Sequence, residues 1–277
     1  MNAVGKALWF IESHFADDIT LEDVADVAGV SRFHITRAFG IATGRSVMAY
    51  VRVRRLTQAA HALVNGAPDI LAVALDAGYG SHEAFTRAFH DQFGHPPEAI
   101  RARGNLDNLE LVEAITMDQT LLKDLEPPRF VNSKPLLIAG LNERYDCENS
   151  AAIPSQWQRF LPDFGKLPGQ LGNVAYGVRY NGDDEGNFDY LCGVEVADFS
   201  RLPEKWNRVR IPEQRYAVFK HRGHISDIRR THHTIWSTWL PESGHEVADA
   251  PNFERYGEDF DSRTGMGSVE IWVAIKN

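Results

Sequence analysis

Residues 31–40 read SRFHITRAFG and residues 81–90 read SHEAFTRAFH. One chain spells Thr-Arg-Ala-Phe twice, each time behind a turn of small residues. Ala25, Ala28 and Gly29 match Ala74, Ala77 and Gly78 at an offset of 49. Ser31, Thr36, Arg37, Ala38, Phe39 and Gly44 then match Ser81, Thr86, Arg87, Ala88, Phe89 and Gly94 at an offset of 50. The added residue is Gly80, in a turn, where a duplicated structural unit tolerates insertion.

Each copy predicts two short helices joined by a tight turn. Thr20 and Asp23 have the spacing of a capping box with the shorter acid. Val24, Val27 and Ala28 form an apolar stripe at helical spacing. Gly29 ends the first helix and Ser31 caps the second. That second helix is expected to bury Ile35 and Phe39 and to turn Arg32, Phe33, Thr36 and Arg37 outward. In the second copy Phe85 and Phe89 face in, while His82, Glu83, Thr86 and Arg87 face out. This is the helix-turn-helix arrangement, whose second helix enters the DNA major groove. Between the copies, SVMAYVRVRRLTQAAHALVNG keeps helical spacing to Asn65-Gly66. About twenty residues at 1.5 Å each make a rod of about 30 Å, able to hold two reading helices roughly one DNA turn apart. Arg52, Arg54 and Arg55 on this rod suit phosphate contacts or core-edge ion pairs better than base reading.

A net charge of -9 would argue against nucleic acid if it were spread evenly. Residues 1–104 hold 10 basic and 11 acidic side chains, and the remainder holds 19 and 27. A near-neutral domain binds DNA when its positive charges share one face. The length of 277 residues suits two domains, and no basic leader or bilayer-length apolar run points to a membrane. Cys147 and Cys192 have neither metal spacing nor a disulfide framework, as expected of reduced thiols in a cytoplasmic protein.

Beyond Gly104 the periodicity changes. FVNSKPLLIAGL has a strand core, AIPSQWQRFLPDF reads as an amphipathic helix, and VAYGVRY and DYLCGVEVADF alternate as strands. The order then recurs: EQRYAVFKHRG a strand, SDIRRTHHTIWSTWL a helix, NFERYG and GSVEIWVAI two strands. A β-α-β-β unit therefore occurs twice. The expected organisation is an all-α double helix-turn-helix domain over residues 1–106, a coupling linker over 107–128, and an α+β domain over 129–277. The latter is an antiparallel sheet with a cleft between its two halves.

Two resemblances sharpen these expectations. LEDVADVAGVSRFHITRAF, GRSVMAYVRVRRLTQA and DAGYGSHEAFTRAFHDQFGHPPEAIR, in that order, resemble the DNA-binding domain of the AraC/XylS family of bacterial transcription regulators. That resemblance implies base reading by Arg32, Phe33, Thr36 and Arg37 in the first unit and by His82, Glu83, Thr86 and Arg87 in the second. Family members often carry Gln or Ser where this chain has His82 and Glu83. Residues 128–277, through YGVRYNGDDEGNFDYLCGVEV, RYAVFKHRGHISDI, IWSTWLPESGHE, PNFERY and FDSRTGMGSVEIWV, resemble the GyrI-like small-molecule-binding domain of Rob-type regulators.

Glu254 in FERY and Glu270 in VEIW lie beside aromatic residues, with Tyr176, Trp236, Trp239, Tyr256 and Trp272 available to line an effector site and Tyr190 nearby. A partly desolvated carboxylate framed by aromatic faces suits a hydrophobic or cationic effector. The resemblance implies the same role for a central glutamate. His221, His224, His232 and His233 lack the cysteine or carboxylate that would complete a metal set, so no metal is expected. No dinucleotide loop or nucleophile elbow is evident, so no cofactor is expected either. The reading is a non-enzymatic regulator with double-stranded DNA, a small effector and, as a further partner, RNA polymerase. Two alternatives stand beside it: hydrolysis of a small molecule, with Glu254 and Glu270 as an acid/base pair, and a C-terminal domain that contacts a protein and takes no ligand.

Overall fold

The computed structural model describes residues 2–67, 69–115 and 125–276. Seven helices come first: α1 (Ala3–His14), α2 (Leu21–Ala28), α3 (Arg32–Thr43), α4 (Val47–Val64), α5 (Ile70–Asp76), α6 (His82–Phe93) and α7 (Pro97–Arg103). Local chemistry fixes their ends. Thr20 Oγ1 accepts the Asp23 N–H at 3.2 Å while the Asp23 carboxylate accepts the Thr20 N–H at 2.8 Å, a complete capping box. Gly29 closes α2 at φ 73°, in the left-handed region that favours glycine. Ser31 and Ser81 cap α3 and α6. The buried stripe of α2 is Leu21, Val24, Ala25 and Ala28, whereas Val27, expected inside, is 39% exposed.

The two repeats sit in different cores. Phe85, Phe89 and Phe93 of α6 pack with the C-terminal half of α4, α5 and Ile100 in a core of their own. Ile35 and Phe39 of α3 instead share one core with α1, α2, the start of α4 and the C-terminal residues Ala217, Phe219, Ile235, Trp236, Ile271 and Val273. The first unit and the C-terminal domain are thus built around common apolar surface. The expected linker runs along α4 up to Ile115: Arg54 donates to the Val112 carbonyl at 2.7 Å, and Thr57 and Tyr50 hydroxyls accept from Val112 and Ile115 N–H. Arg54 also grips Glu12, so of its two expected roles it fills the core-edge ion pair. The rest of that linker, residues 116–124, lies outside the described residues.

The C-terminal domain is one eight-stranded antiparallel sheet in the order β1-β6-β8-β7-β3-β4-β2-β5. The strands are β1 (Arg129–Ser133), β2 (Leu136–Tyr145), β3 (Gln170–Tyr180), β4 (Phe188–Val196), β5 (Asn207–Ile211), β6 (Gln214–His221), β7 (Asn252–Tyr256) and β8 (Val269–Ala274). Helix α8 (Ile153–Phe160) joins β2 to β3. Helix α9 (Ile228–Thr234), extended by a π-helical turn over Ile235–Trp239, follows β6. Read outward from the centre, β7-β8-β6 mirrors β3-β4-β2, which is the duplication expected from sequence. FVNSKPLLIAGL is two strands rather than one, broken at Lys134-Pro135, and its halves pair at different places in the sheet: β1 flanks β6 while β5 flanks β2.

Helix α3 docks on α9 and its π-helical extension through Trp236. Its fully buried indole packs against Phe33 at 6.2 Å and His34 at 5.6 Å between ring centroids, and the Arg37 guanidinium lies 4.3 Å over it. His34 Nε2–H donates to the Trp236 carbonyl at 2.6 Å. Gly40 lets Cys147 approach, since a Cβ there would collide with the Cys147 sulfur. Arg45 pairs with Glu148 at 2.9 Å and Arg32 with Asp184 at 3.5 Å at the exposed rim. Among the described residues no helix is long and apolar enough to cross a membrane.

Two outcomes follow. Thr20→Ala removes the cap and should lower stability by about 1 kcal/mol in chemical denaturation. Burial lowers the pKa of His34 in the docked state. Its contribution to docking is therefore complete above about pH 6.5, the ordinary value for an exposed histidine, and is lost as pH falls below it and the undocked state takes up the proton. Hydrogen-exchange protection of α3 should decrease on acidification through that range, and His34→Gln should flatten the dependence.

Candidate effector cleft and nucleic-acid interface

Glu254 stands on the central strand β7, directly across from Gly177 of β3. Its carboxylate accepts three hydrogen bonds: from Tyr190 Oη at 2.7 Å, Tyr256 Oη at 2.9 Å and His232 Nε2 at 2.9 Å. Trp157 of α8 donates its indole N–H to Tyr190 at 3.3 Å and stands edge-on to Tyr256 at 5.0 Å. Gln156, one residue earlier, pins α8 to the sheet by donating to the carbonyls of Leu141 and Tyr190. Gly177 is a space requirement: a Cβ there would overlap the Tyr190 hydroxyl and come within 2.9 Å of Glu254 Oε2. The carboxylate thus sits in a ring of aromatic edges between the two halves of the duplication.

The electrostatics define which groups are charged. Burial alone would raise the Glu254 pKa, but hydrogen bonds from His232, Tyr190 and Tyr256 outweigh it and hold the carboxyl below its ordinary value. Burial pushes His232 down despite Glu254, so the ring is neutral near pH 7 and donates its Nε2–H. Burial raises Tyr190 and Tyr256 well above the usual range, which keeps both as donors. Arg179, 3.4 Å over the Phe188 ring, is pushed down to about 10 by burial. Arg37 of α3 is lowered well below its ordinary value by burial and by Arg179, with Glu254 opposing. A single buried anion therefore faces two buried guanidinium groups, one from each domain.

Of the residues expected to form the effector site, Glu254, Tyr256 and Trp236 lie on the face of the sheet that α8, α9 and α3 cover. Glu270, Tyr176 and Trp272 do not. In the β7–β8 register Glu254 pairs with Ile271 and Arg255 with Glu270, so the two glutamates point to opposite faces. Glu270 is held by Arg129 at 2.7 Å and by the Trp272 indole N–H at 3.1 Å. Trp272 stacks on Phe253 at 5.0 Å and Tyr176 packs on the same ring, both in the core of the far face. Trp239 packs edge-on to Phe219 and beside His245, away from the carboxylate. Sequence reasoning missed His232, Trp157, Gly177 and Arg179. For Arg179 and Gly177 a signal existed: both share strand parity with the residues that face Glu254.

The two reading helices differ in access. On α6, Glu83 and Arg87 are exposed, His82 and Thr86 are partly buried, and His82 pairs with Glu98 at 3.0 Å. With Pro96 and Asp91 they line an open concavity. On α3, Arg32 is exposed, but Thr36 and Arg37 retain only 5% and 7% of their exposure and Phe33 is partly covered. The expected outward turn reaches solvent at Arg32 alone, since Phe33 packs on the core shared by the two domains and Thr36 and Arg37 are buried. What they meet is the C-terminal domain, because Trp236 and Arg179 present an aromatic and polar surface at that point. Among the described residues no group of three or more His, Cys, Asp or Glu is placed to hold a metal ion.

Residues 126–276 match the GyrI-like small-molecule-binding domain, and residues 24–103 match a helix-turn-helix domain. The transcriptional regulator Rob of Salmonella typhimurium is 25% identical over 272 residues, covering 95% of this chain and 93% of Rob. BrlR, a transcriptional regulator of Pseudomonas aeruginosa, is 28% identical and covers 70% of this chain and 77% of its own length. The multiple antibiotic resistance protein MarA of Salmonella typhimurium is 34% identical over 98 residues, 35% of this chain and 77% of MarA. Among solved structures, SAV2435 bound to tetraphenylphosphonium is 21% identical with a TM-score of 0.45, covering 55% of this chain and 94% of that one. With its helix-turn-helix units in front and an antiparallel sheet behind, the chain belongs to the GyrI-like family and has the domain layout of the Rob-type, AraC-class transcription regulators.

Proposed function

We propose that this regulator reads double-stranded DNA through Arg32, Phe33, Thr36 and Arg37 of α3 and His82, Glu83, Thr86 and Arg87 of α6. We further propose that its C-terminal domain binds a small lipophilic cation at Glu254. It works where the chromosome is, in the cytoplasm, with RNA polymerase as the partner through which bound protein would act. The observation that carries the effector reading is the Glu254 carboxylate, ionised and ringed by Tyr190, Tyr256 and Trp157. An anion already desolvated inside the protein and framed by aromatic groups favours a cation that sheds water easily. The domain boundaries we assign are residues 1–106, 107–128 and 129–277.

Hydrolysis by a Glu254–Glu270 pair finds no support, because the sheet separates the two carboxylates. Glu254 also accepts from three donors already in place, an arrangement suited to holding a charge rather than passing a proton.

Two experiments test these roles. In titrations with tetraphenylphosphonium, Glu254→Gln should weaken binding by about tenfold or more, because the amide removes the charge that a desolvated cation pairs with. Equal affinity would remove Glu254 from the site. For DNA, Arg87→Ala should cost about 1–3 kcal/mol on a selected duplex, through lost bidentate pairing with guanine. Its loss on random duplex should be much smaller, and equal losses on the two would assign Arg87 to phosphate.

A further inference from the structure

We infer that Arg37 is a tethered occupant of the effector cleft. With α3 docked, a guanidinium meant for DNA stands over Trp236 beside Glu254, so a cationic effector and docked α3 exclude one another. This rests on the effector reading of Glu254 given above and adds the route by which the effector acts.

Three observations carry it. First, Arg37 is 7% exposed and lies 4.3 Å over Trp236, the geometry of a cation–aromatic contact. It also feels the charge of Glu254, as do Arg179 and His232, so these four groups form one buried electrostatic cluster. Second, Arg37 is poorly satisfied there. Its Nε is buried without a hydrogen-bond partner, Arg179 repels it, and Glu254 is already engaged by three donors. A buried guanidinium with unmet donors carries a desolvation cost that a lipophilic cation without N–H groups does not. Third, the contacts that hold α3 down beyond its apolar face are few. Among the described residues they include the His34–Trp236 hydrogen bond, the fit of Gly40 on Cys147, the approach of Phe33 to Gly182, and rim ion pairs of Arg32 and Arg45 that are largely exposed and weakly stabilising.

A docked state of this kind is held firmly enough to form and loosely enough to yield. A ligand shifts such a balance only by binding one state better than the other. Here the differential arises because effector and Arg37 compete for Trp236 and for the field of Glu254. The second unit has its own core and an open reading face, so the docked protein still presents α6 to DNA. Effector binding adds the first half-site.

The full chain tests this in two ways. Tetraphenylphosphonium should bind Arg37→Gln at least tenfold more tightly than the parent, because the internal competitor is gone. Affinity equal to or below the parent's overturns the inference. Independently, Gly40→Cys places a thiol against Cys147, and oxidation with copper phenanthroline in air should lock α3 to the sheet. With tetraphenylphosphonium present throughout, the oxidised protein should lose the footprint of the first half-site on a duplex selected by the reduced protein and keep that of the second. Dithiothreitol should restore the first. A locked protein that footprints like the reduced one overturns the inference alone, whereas a probe that binds none of these proteins overturns the effector reading as well.

Discussion

Trp236 has no solvent exposure, and the residues that cover it come largely from the other domain: Phe33, His34 and Arg37 of α3. The arrangement of the whole molecule depends on that burial. Around the indole, α1, α2, α3 and the start of α4 contribute apolar side chains to the same core as β6, β8 and the turn after α9. Removing α3 would expose an aromatic surface to water and leave the Trp236 carbonyl without its His34 donor. The first helix-turn-helix unit is thus an integral layer of the C-terminal domain as well as a DNA reader.

The duplicated units show how one local architecture can be placed in two physical settings. Both have a serine cap, an inward pair four residues apart and a closing glycine in the left-handed region. The second encloses three phenylalanines packed tilted and edge-on and is complete in itself. In the first unit Ile35 and Phe39 occupy the inward positions, and the face that carries Phe33 and Arg37 meets Trp236 of the C-terminal domain. That asymmetry packs the first helix-turn-helix unit against the C-terminal domain and leaves the second with a core of its own.

The sheet tells a related story. Its two halves mirror one another about the β3–β7 pair, and the mirror line is where Glu254 and Gly177 meet. Helix α9 delivers His232 to that carboxylate, and α8, from the other half, delivers Trp157 to Tyr190, one of its donors. A duplicated fold therefore has a natural central site, and the departures from symmetry decide its chemistry. Tyr190 sits on one half, Tyr256 on the other, and Gly177 leaves the room that the Tyr190 hydroxyl needs to reach the acid.

The sequence by itself determined the elements and their chemistry. Repeat offsets, caps and periodicity located α2, α3, α5 and α6 and both β-α-β-β units, because these features act within a few residues of chain. It marked Glu254 and Glu270 together as the pointed residues and Arg37 as an expected reader. It could not separate Glu254 from Glu270, since both lie among aromatics on strands. Their separation is a matter of register: Glu254 faces Gly177 across one ladder and Ile271 across the other, placing Glu270 on the far face with Tyr176 and Trp272. Nor could it show that outward-facing Thr36 and Arg37 would be covered. Helical periodicity fixes which side of α3 a residue occupies, but whether water or protein lies there is set by contacts between residues some 200 positions apart, such as His34 and Trp236. Only the packing of one domain on the other decided that.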